Sequence, residues 1–201
     1  MEGVRQPLLV VLAGINGAGK STFYFQSLRH LNLPFVNADL IAAQLWPQEP
    51  FAHAYEAAER AAQMRDQFLA RKRSFVTETV FSHVSKVSLI EKAKGTGYRV
   101  ILIYIHLDGS DLARMRVEER VGRGGHPVPD EKIIQRFPRL LKHLHPAIAV
   151  ADVALLYDNS ILGEPFRHIA TVKGGVLQAT PSQALPEWAS KLLQHDSCSR
   201  H

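Results

Sequence analysis

Six apolar residues, Leu8 to Ala13, run straight into the octapeptide Gly14-Ile15-Asn16-Gly17-Ala18-Gly19-Lys20-Ser21. Glycine, four residues, glycine, lysine and serine is the pattern of a phosphate-binding loop, which must leave a buried strand and enter a helix. A phosphate chain needs several backbone N–H groups aimed at it with no side chain in the way. Glycines at 14, 17 and 19 permit that approach, while the following helix offers its positive N-terminal end. The pattern assigns Gly14, Asn16, Gly17, Ala18, Gly19, Lys20, Ser21 and Thr22 to a nucleotide. Within it Lys20 reaches the β and γ phosphates and the Ser21 hydroxyl binds Mg²⁺. The bland alternative is a glycine turn without nucleotide.

Strands and helices alternate along the rest of the chain, with no internal repeat, long linker or low-complexity block. That alternation predicts an α/β fold of three layers, a mostly parallel central sheet with helices on both faces. Strands are expected at 8–13, 34–37, 74–79, 98–107 and 151–157, with a last edge strand at 167–172. Helices are expected at 20–31, 38–45, 50–73, 84–94, 110–121, 130–149 and 183–193, the sixth kinked at Pro138 and Pro146. A mobile loop is expected at GRGGHPVPD, and a frayed tail at 195–201.

Two carboxylates fall where such a sheet binds ligands, outside the carboxyl ends of its strands. Asp39 follows the second strand in Asn37-Ala38-Asp39-Leu40, where it accepts the proton of an attacking hydroxyl, holds Mg²⁺ through water, or merely caps the next helix. Glu78, flanked by Thr77 and Thr79, closes the third strand in SFVTETV. It orients the metal's water shell, binds substrate hydroxyls, replaces Asp39 as base, or is an ordinary polar residue at a strand end.

Further along, RMRVEERVGRGGHPVP brings Arg116, Arg120 and Arg123 near one helix face that enters the glycine-rich break. Arginines on a closing lid neutralise the charge on a transferring phosphoryl group. Glu118 and Glu119 supply the competing reading, a salt-bridged solvent face. His126 in the same loop contacts phosphate or substrate, or is simply solvated.

The 201 residues are 46% hydrophobic and 21% charged, enough for one domain with a real core and unlike a disordered or collagenous chain. That domain is expected to span 1–201, with its core at 8–173 and a closing helix and tail at 181–201. The formal charge of +5 suits an anionic ligand or a nucleic acid, and also suits many enzymes whose surplus charge only aids solubility. The single cysteine, Cys198, excludes an intrachain disulfide and points to the cytoplasm. The first apolar run is too short for a signal peptide, and no stretch approaches a membrane span.

GINGAGKST, VNADLIA, FVTETVFSH, RVEERVGRGGHPVPDEKI and ADVALLYDNS, in this order, resemble the zeta-toxin family of P-loop kinases, particularly its short single-domain bacterial branch. The resemblance covers about residues 8 to 160 and implies a kinase using ATP and Mg²⁺ to phosphorylate a sugar hydroxyl of UDP-N-acetylglucosamine. It implies Asp39 as the catalytic aspartate, Lys20 as the loop lysine, Arg120 and Arg123 as the transition-state arginines, and an antitoxin as partner. Glu78, Thr79 and His126 join Asp39 as the substrate-binding set. The chain is shorter than the founding toxins and its lid differs, so the acceptor and the antitoxin are not inherited with the fold. The competing readings are a polynucleotide or other small-metabolite kinase, and a nucleotide-binding switch without kinase activity. No aromatic-plus-basic stacking motif supports nucleic acid, and no Asn-Lys-x-Asp guanine motif supports a switch.

Overall fold

The computed structural model describes residues 6–122, 125, 127–178 and 184–194. Strand β1 (Leu8–Ala13) is apolar throughout, and from Leu9 onward it is at most 2% exposed. It pairs in parallel with β3 (Phe75–Thr79) on one side and β4 (Arg99–His106) on the other. Strands buried on both faces read as continuous apolar runs, and the ILIYI of β4 is another. Beyond β3 lies β2 (Phe35–Val36), and beyond β4 lies β5 (Val153–Asp158), both parallel. The fifth neighbour, β6 (Arg167–Lys173), is antiparallel to β5, and β7 (Val176–Leu177) is antiparallel to β6. The order is β2-β3-β1-β4-β5-β6-β7, so the chain switches direction of travel at β1 and opens a crevice at its carboxyl end.

The expected sheet is therefore present, with one correction at its margin: β6 is not the edge. Gly174 and Gly175, at φ 54° and 78°, make the two-residue turn that folds β7 back onto it. Two successive positive φ angles are the mark of the hairpin turn whose twist matches its strands, and glycine adopts them without strain.

The helices also depart from expectation where packing outweighs propensity. Residues 20–31 do not form one regular helix: α1 (Lys20–Phe23) widens into a π turn over Tyr24–Leu28 and tightens into a 3₁₀ turn over Arg29–Leu31. Adjacent aromatics pull the backbone two ways here. Phe23 packs on Tyr157 and Phe166 at 5.0 and 5.2 Å, while Tyr24 stacks on Phe35 at 3.6 Å. After α2 (Ala38–Leu45), the alanine-rich α3 (Ala54–Ala70) starts later than Pro50, because Pro50 to His53 is spent on turns with His53 stacked on Trp46 at 4.6 Å. The basic cluster closes α3 through Arg71, followed by Lys72 in the left-handed region at φ 50°. Then come α4 (Ser85–Gly95), α5 (Gly109–Gly122) and α6 (Asp130–Val150), and α6 carries Pro138 and Pro146 inside it. The last helix, α7 (Glu187–Leu193), starts four residues later than expected, and both 179–183 and the tail 195–201 lie outside the described residues.

Polar pins fix these helices to the sheet. The Tyr98 hydroxyl donates to the carbonyls of Phe68 and Arg73 at 2.8 and 2.9 Å, holding the end of α3 beside the start of β4. Asp152 pairs with Lys94 of α4 and accepts the Val100 amide at 2.7 Å. At the other end of β4, His106 is 3% exposed, stacks on Trp188 of α7 at 4.0 Å and meets the Tyr104 hydroxyl at 3.1 Å. Trp188 in turn donates to Asp158 at 3.2 Å, so α7 is stitched to β4 and β5 through one histidine and one aspartate.

Burial pushes the His106 imidazole down to about 4, with Asp158 and Asp108 opposing. Its folded value lies below the ordinary one, so the stability it confers is complete above pH ~6.5 and is lost as pH falls toward 4, by up to roughly 3 kcal/mol. Denaturant unfolding at a series of pH values should show wild type losing its advantage over His106→Gln on acidification. A gap that stays constant from pH 7 to 4.5 would exclude the histidine as the cause.

Candidate active site

A cleft of about 880 Å³ opens at the carboxyl ends of β1, β2 and β3. The loop after β1 forms one wall. Gly19 ends that loop at φ +89°, and a Cβ there would lie 2.8 Å from the Asn159 side-chain nitrogen, so both conformation and space demand glycine. Asn16, Gly17, Gly19, Lys20, Ser21 and Thr22 line the cleft. Gly14 and Ala18 do not: a Cβ on Gly14 would meet the Ile105 carbonyl at 2.7 Å, and Ala18 is fully buried. Their part is to let the loop pack against its surroundings, with only backbone to offer a ligand.

Lys20 is 7% exposed, and its ammonium donates to the Ile15 carbonyl at 3.1 Å while standing 3.7 Å from Glu78 Oε1. Burial pushes it below its ordinary value, Glu78 and Asp39 pull it back, and Arg120 lowers it further. The ammonium is thus strongly drawn to any additional negative charge. Glu78 is the hub. Its other oxygen, Oε2, accepts from Ser21 Oγ at 2.9 Å and from Asn37 Nδ2 at 2.7 Å, so one carboxylate joins the ends of three strands. Leu12 is its register partner on β1, two residues before the phosphate loop begins at Gly14.

The two threonines beside it part company. Thr77 turns away, fully buried, and donates to the Val36 carbonyl at 3.2 Å within the sheet. Thr79 lines the cleft, and its hydroxyl accepts the Phe81 amide at 3.1 Å. Phe81 is buried in the left-handed region at φ 65°, and this sharp turn brings Ser82 and Lys86 to the cleft.

Asn37, rather than Asp39, caps α2. Its backbone is extended at φ −134° and ψ 122°, and its Oδ1 accepts the Leu40 amide at 3.1 Å. Asp39 lies in the first helical turn with its side chain in the cleft, where it acts electrostatically on both Lys20 and Arg136.

From the opposite wall come Arg116, Glu119 and Arg120 of α5, and Lys132 and Arg136 of α6. Arg123 and His126 lie outside the described residues. Arg136 escaped the sequence reading: its Nη1 donates to Asn16 Oδ1 at 3.0 Å, across 120 positions of chain. Burial lowers its guanidinium from the ordinary value, with Asp39 opposing. Asn159 was also missed. From the end of β5 it donates to the Ala18 carbonyl at 3.0 Å and accepts the Phe166 amide at 3.3 Å, placing Phe166 and Pro165 beside Gly19. The only sequence signal for Arg136 is its four-residue spacing from Lys132, and for Asn159 its place at a strand end.

Backbone donors at a helix N-terminus with Lys20 among them fit a polyphosphate. The hydroxyl of Ser21 and the carboxylates of Glu78 and Asp39 are the hard oxygen donors that Mg²⁺ takes. Among the described residues no group of three or more His, Cys, Asp or Glu could hold a metal alone, so such an ion would share its shell with phosphate and water.

The profile of a family described as AAA domain matches residues 9–141. An uncharacterized protein of Haemophilus influenzae is 29% identical over 138 residues, 67% of this chain and 95% of that one. Among solved structures, the AvrRxo1-ORF1:-ORF2 complex with ATP aligns with a TM-score of 0.68 at 19% identity over 87% of this chain, which spans only 60% of that chain's length. The PezAT chromosomal toxin–antitoxin system of Streptococcus pneumoniae aligns at 0.62 and 15% identity, over 94% of this chain and 84% of that one. At such identities the likeness is one of fold, a P-loop kinase-like α/β fold. No helix among the described residues is long and apolar enough to cross a membrane.

The capping geometry yields a direct comparison. Asn37→Ala should cost about 1–2 kcal/mol in denaturant unfolding, since it removes the cap and a hold on Glu78 together. Asp39→Asn should stay within about 0.5 kcal/mol of wild type. Equal losses at both positions would return the cap to Asp39.

Proposed function

The chain belongs to the AAA domain family, and on that premise we propose that it is an ATP- and Mg²⁺-dependent kinase of zeta-toxin type, acting on a hydroxyl of a small phosphorylated acceptor. UDP-N-acetylglucosamine is the leading acceptor, through the resemblance of VNADLIA, FVTETVFSH and GRGGHPVP. One observation carries the reading: Lys20, Ser21, Glu78, Asp39, Arg120 and Arg136 line a single cleft of about 880 Å³, room for a nucleotide and a second substrate. Two fold neighbours support it by what their own names say, a complex with ATP and a putative kinase of Chloroflexus aurantiacus at TM-score 0.51.

In this reading the loop from Gly14 to Thr22 and Lys20 hold the triphosphate, and Phe166 and Pro165 flank the base end. Ser21, and Glu78 through water, would hold Mg²⁺, which would supply charge neutralisation at the phosphates. Asp39 takes the proton of the acceptor hydroxyl as its oxygen bonds to the γ phosphorus. The bond from that phosphorus to the bridging oxygen breaks, ADP leaves, and the phosphorylated acceptor remains. Arg120 and Arg136, together with Arg123, spread positive charge over the transferring group. Thr79 and His126 bind the acceptor beside Asp39. A cytoplasmic location and an antitoxin as partner complete the proposal.

Incubation with ATP, Mg²⁺ and a panel of sugar nucleotides, read by mass for one added phosphate, tests it. Asp39→Asn should lower transfer by about 10²–10⁴-fold while ATP binding holds, and Lys20→Ala should lose both. Undiminished transfer by Asp39→Asn would pass the base role to Glu78. Transfer to the 5′ hydroxyl of an oligonucleotide, and to no sugar nucleotide, would favour the polynucleotide reading.

A further inference from the structure

Away from the phosphate loop, the cleft wall contributed by α3 is a stripe of Ala54, Ala58, Ala61 and Arg65. Spacings of four, three and four put these residues on one helix face. Three of the four side chains end at Cβ, which leaves room along the wall, and the fourth is a guanidinium. Facing it across the helix junction is Lys86, in the first turn of α4. An ion pair between Asp66 of α3 and Lys92 of α4, at 2.7 Å, ties the two helices.

Neither cation has a carboxylate of its own. Asp66, the neighbour that offsets the charge of Arg65, is engaged by Lys92, and Arg65 makes no hydrogen bond or ion pair with a described residue. Among the described residues Lys86 has only a 3.5 Å contact with the Ser85 hydroxyl. Burial and then Arg65 push the Lys86 ammonium down to about 8, and burial lowers the Arg65 guanidinium as well. Two half-buried cations placed against each other raise the free energy of the empty cleft, and an anion between them reverses the sign of that interaction.

We propose that Arg65 and Lys86 form a second anion subsite, distinct from the phosphate loop, which binds the phosphate or diphosphate of the acceptor while the alanine stripe makes room for the group it carries. The proposal rests on the kinase reading for the identity of the ligand as acceptor. It explains selection for a charged acceptor by residues that touch neither ATP nor the reacting hydroxyl. A bidentate Arg contact fixes orientation, and Lys86 adds charge without a fixed direction.

The test fills the loop first. With the intact chain saturated by Mg²⁺ and adenylyl imidodiphosphate, calorimetric titrations with UDP, inorganic pyrophosphate, glucose 1-phosphate and uncharged uridine report the second site alone. At least one anion should bind more tightly than uridine, and Arg65→Gln and Lys86→Gln should each weaken it about tenfold or more, with Lys86→Arg restoring most of the loss. Nucleotide affinity should be unchanged, which also shows that each variant is folded. No preference for the anions, or equal binding by the variants, overturns the subsite. Failure of the kinase reading appears separately, as no phosphate transferred to any acceptor by a protein that still binds the anion.

Discussion

Everything at the mouth of the sheet depends on where the Glu78 carboxylate sits. It is 12% exposed, and in that setting an ionised group persists only if its charge is answered. Lys20 answers from β1's loop, and the Ser21 hydroxyl and Asn37 amide complete the set. The same contacts hold the amide of Asn37 so that its oxygen caps α2, which in turn points Asp39 into the cleft. A single half-buried carboxylate thus orders a cation, a hydroxyl and a helix start. Any ligand that draws Lys20 or Ser21 forward must loosen their hold on Glu78.

The positive side of the site is divided. Arg120 and Arg136 stand on α5 and α6, whereas Arg65 and Lys86 stand on α3 and α4. Burial depresses Lys20, Lys86, Arg65 and Arg136 alike. The modest net charge of +5 understates this concentration, because much of the chain's charge is balanced in pairs on the surface while the cleft keeps several cations inward. Such focusing inside low-dielectric walls raises the local concentration of anions.

What was legible in the chain was what is local. The β1 run, the glycine pattern and the alternation of strands and helices carry their own signals, so the central sheet and the phosphate loop follow from spacing alone. Asp39 and Glu78 were found because strand ends are readable. The capping assignment was not, since Asn37 and Asp39 are both good caps two residues apart, and only the extended backbone at Asn37 decides between them. Arg136 and Asn159 join partners 120 and 141 positions away, and no window on the sequence spans that distance. Arg65 carries no local signal of its place at the cleft, because which face of α3 meets the cleft depends on how α2 and α4 lie against it. The irregular α1 was hidden for another reason: helix propensity is a sum over residues, while its π turn answers to two particular rings.

The sheet's margins are its two shortest strands, β2 and β7, with two residues each. An open sheet edge is a row of unpaired amides and carbonyls that a stray strand from another molecule can extend. Here five well-formed inner strands are fenced by margins too brief to template such growth, one of them turned over on a pair of glycines. The small hairpin that the sequence pattern passed over therefore protects the chain from its own kind, and none of its residues lines the cleft.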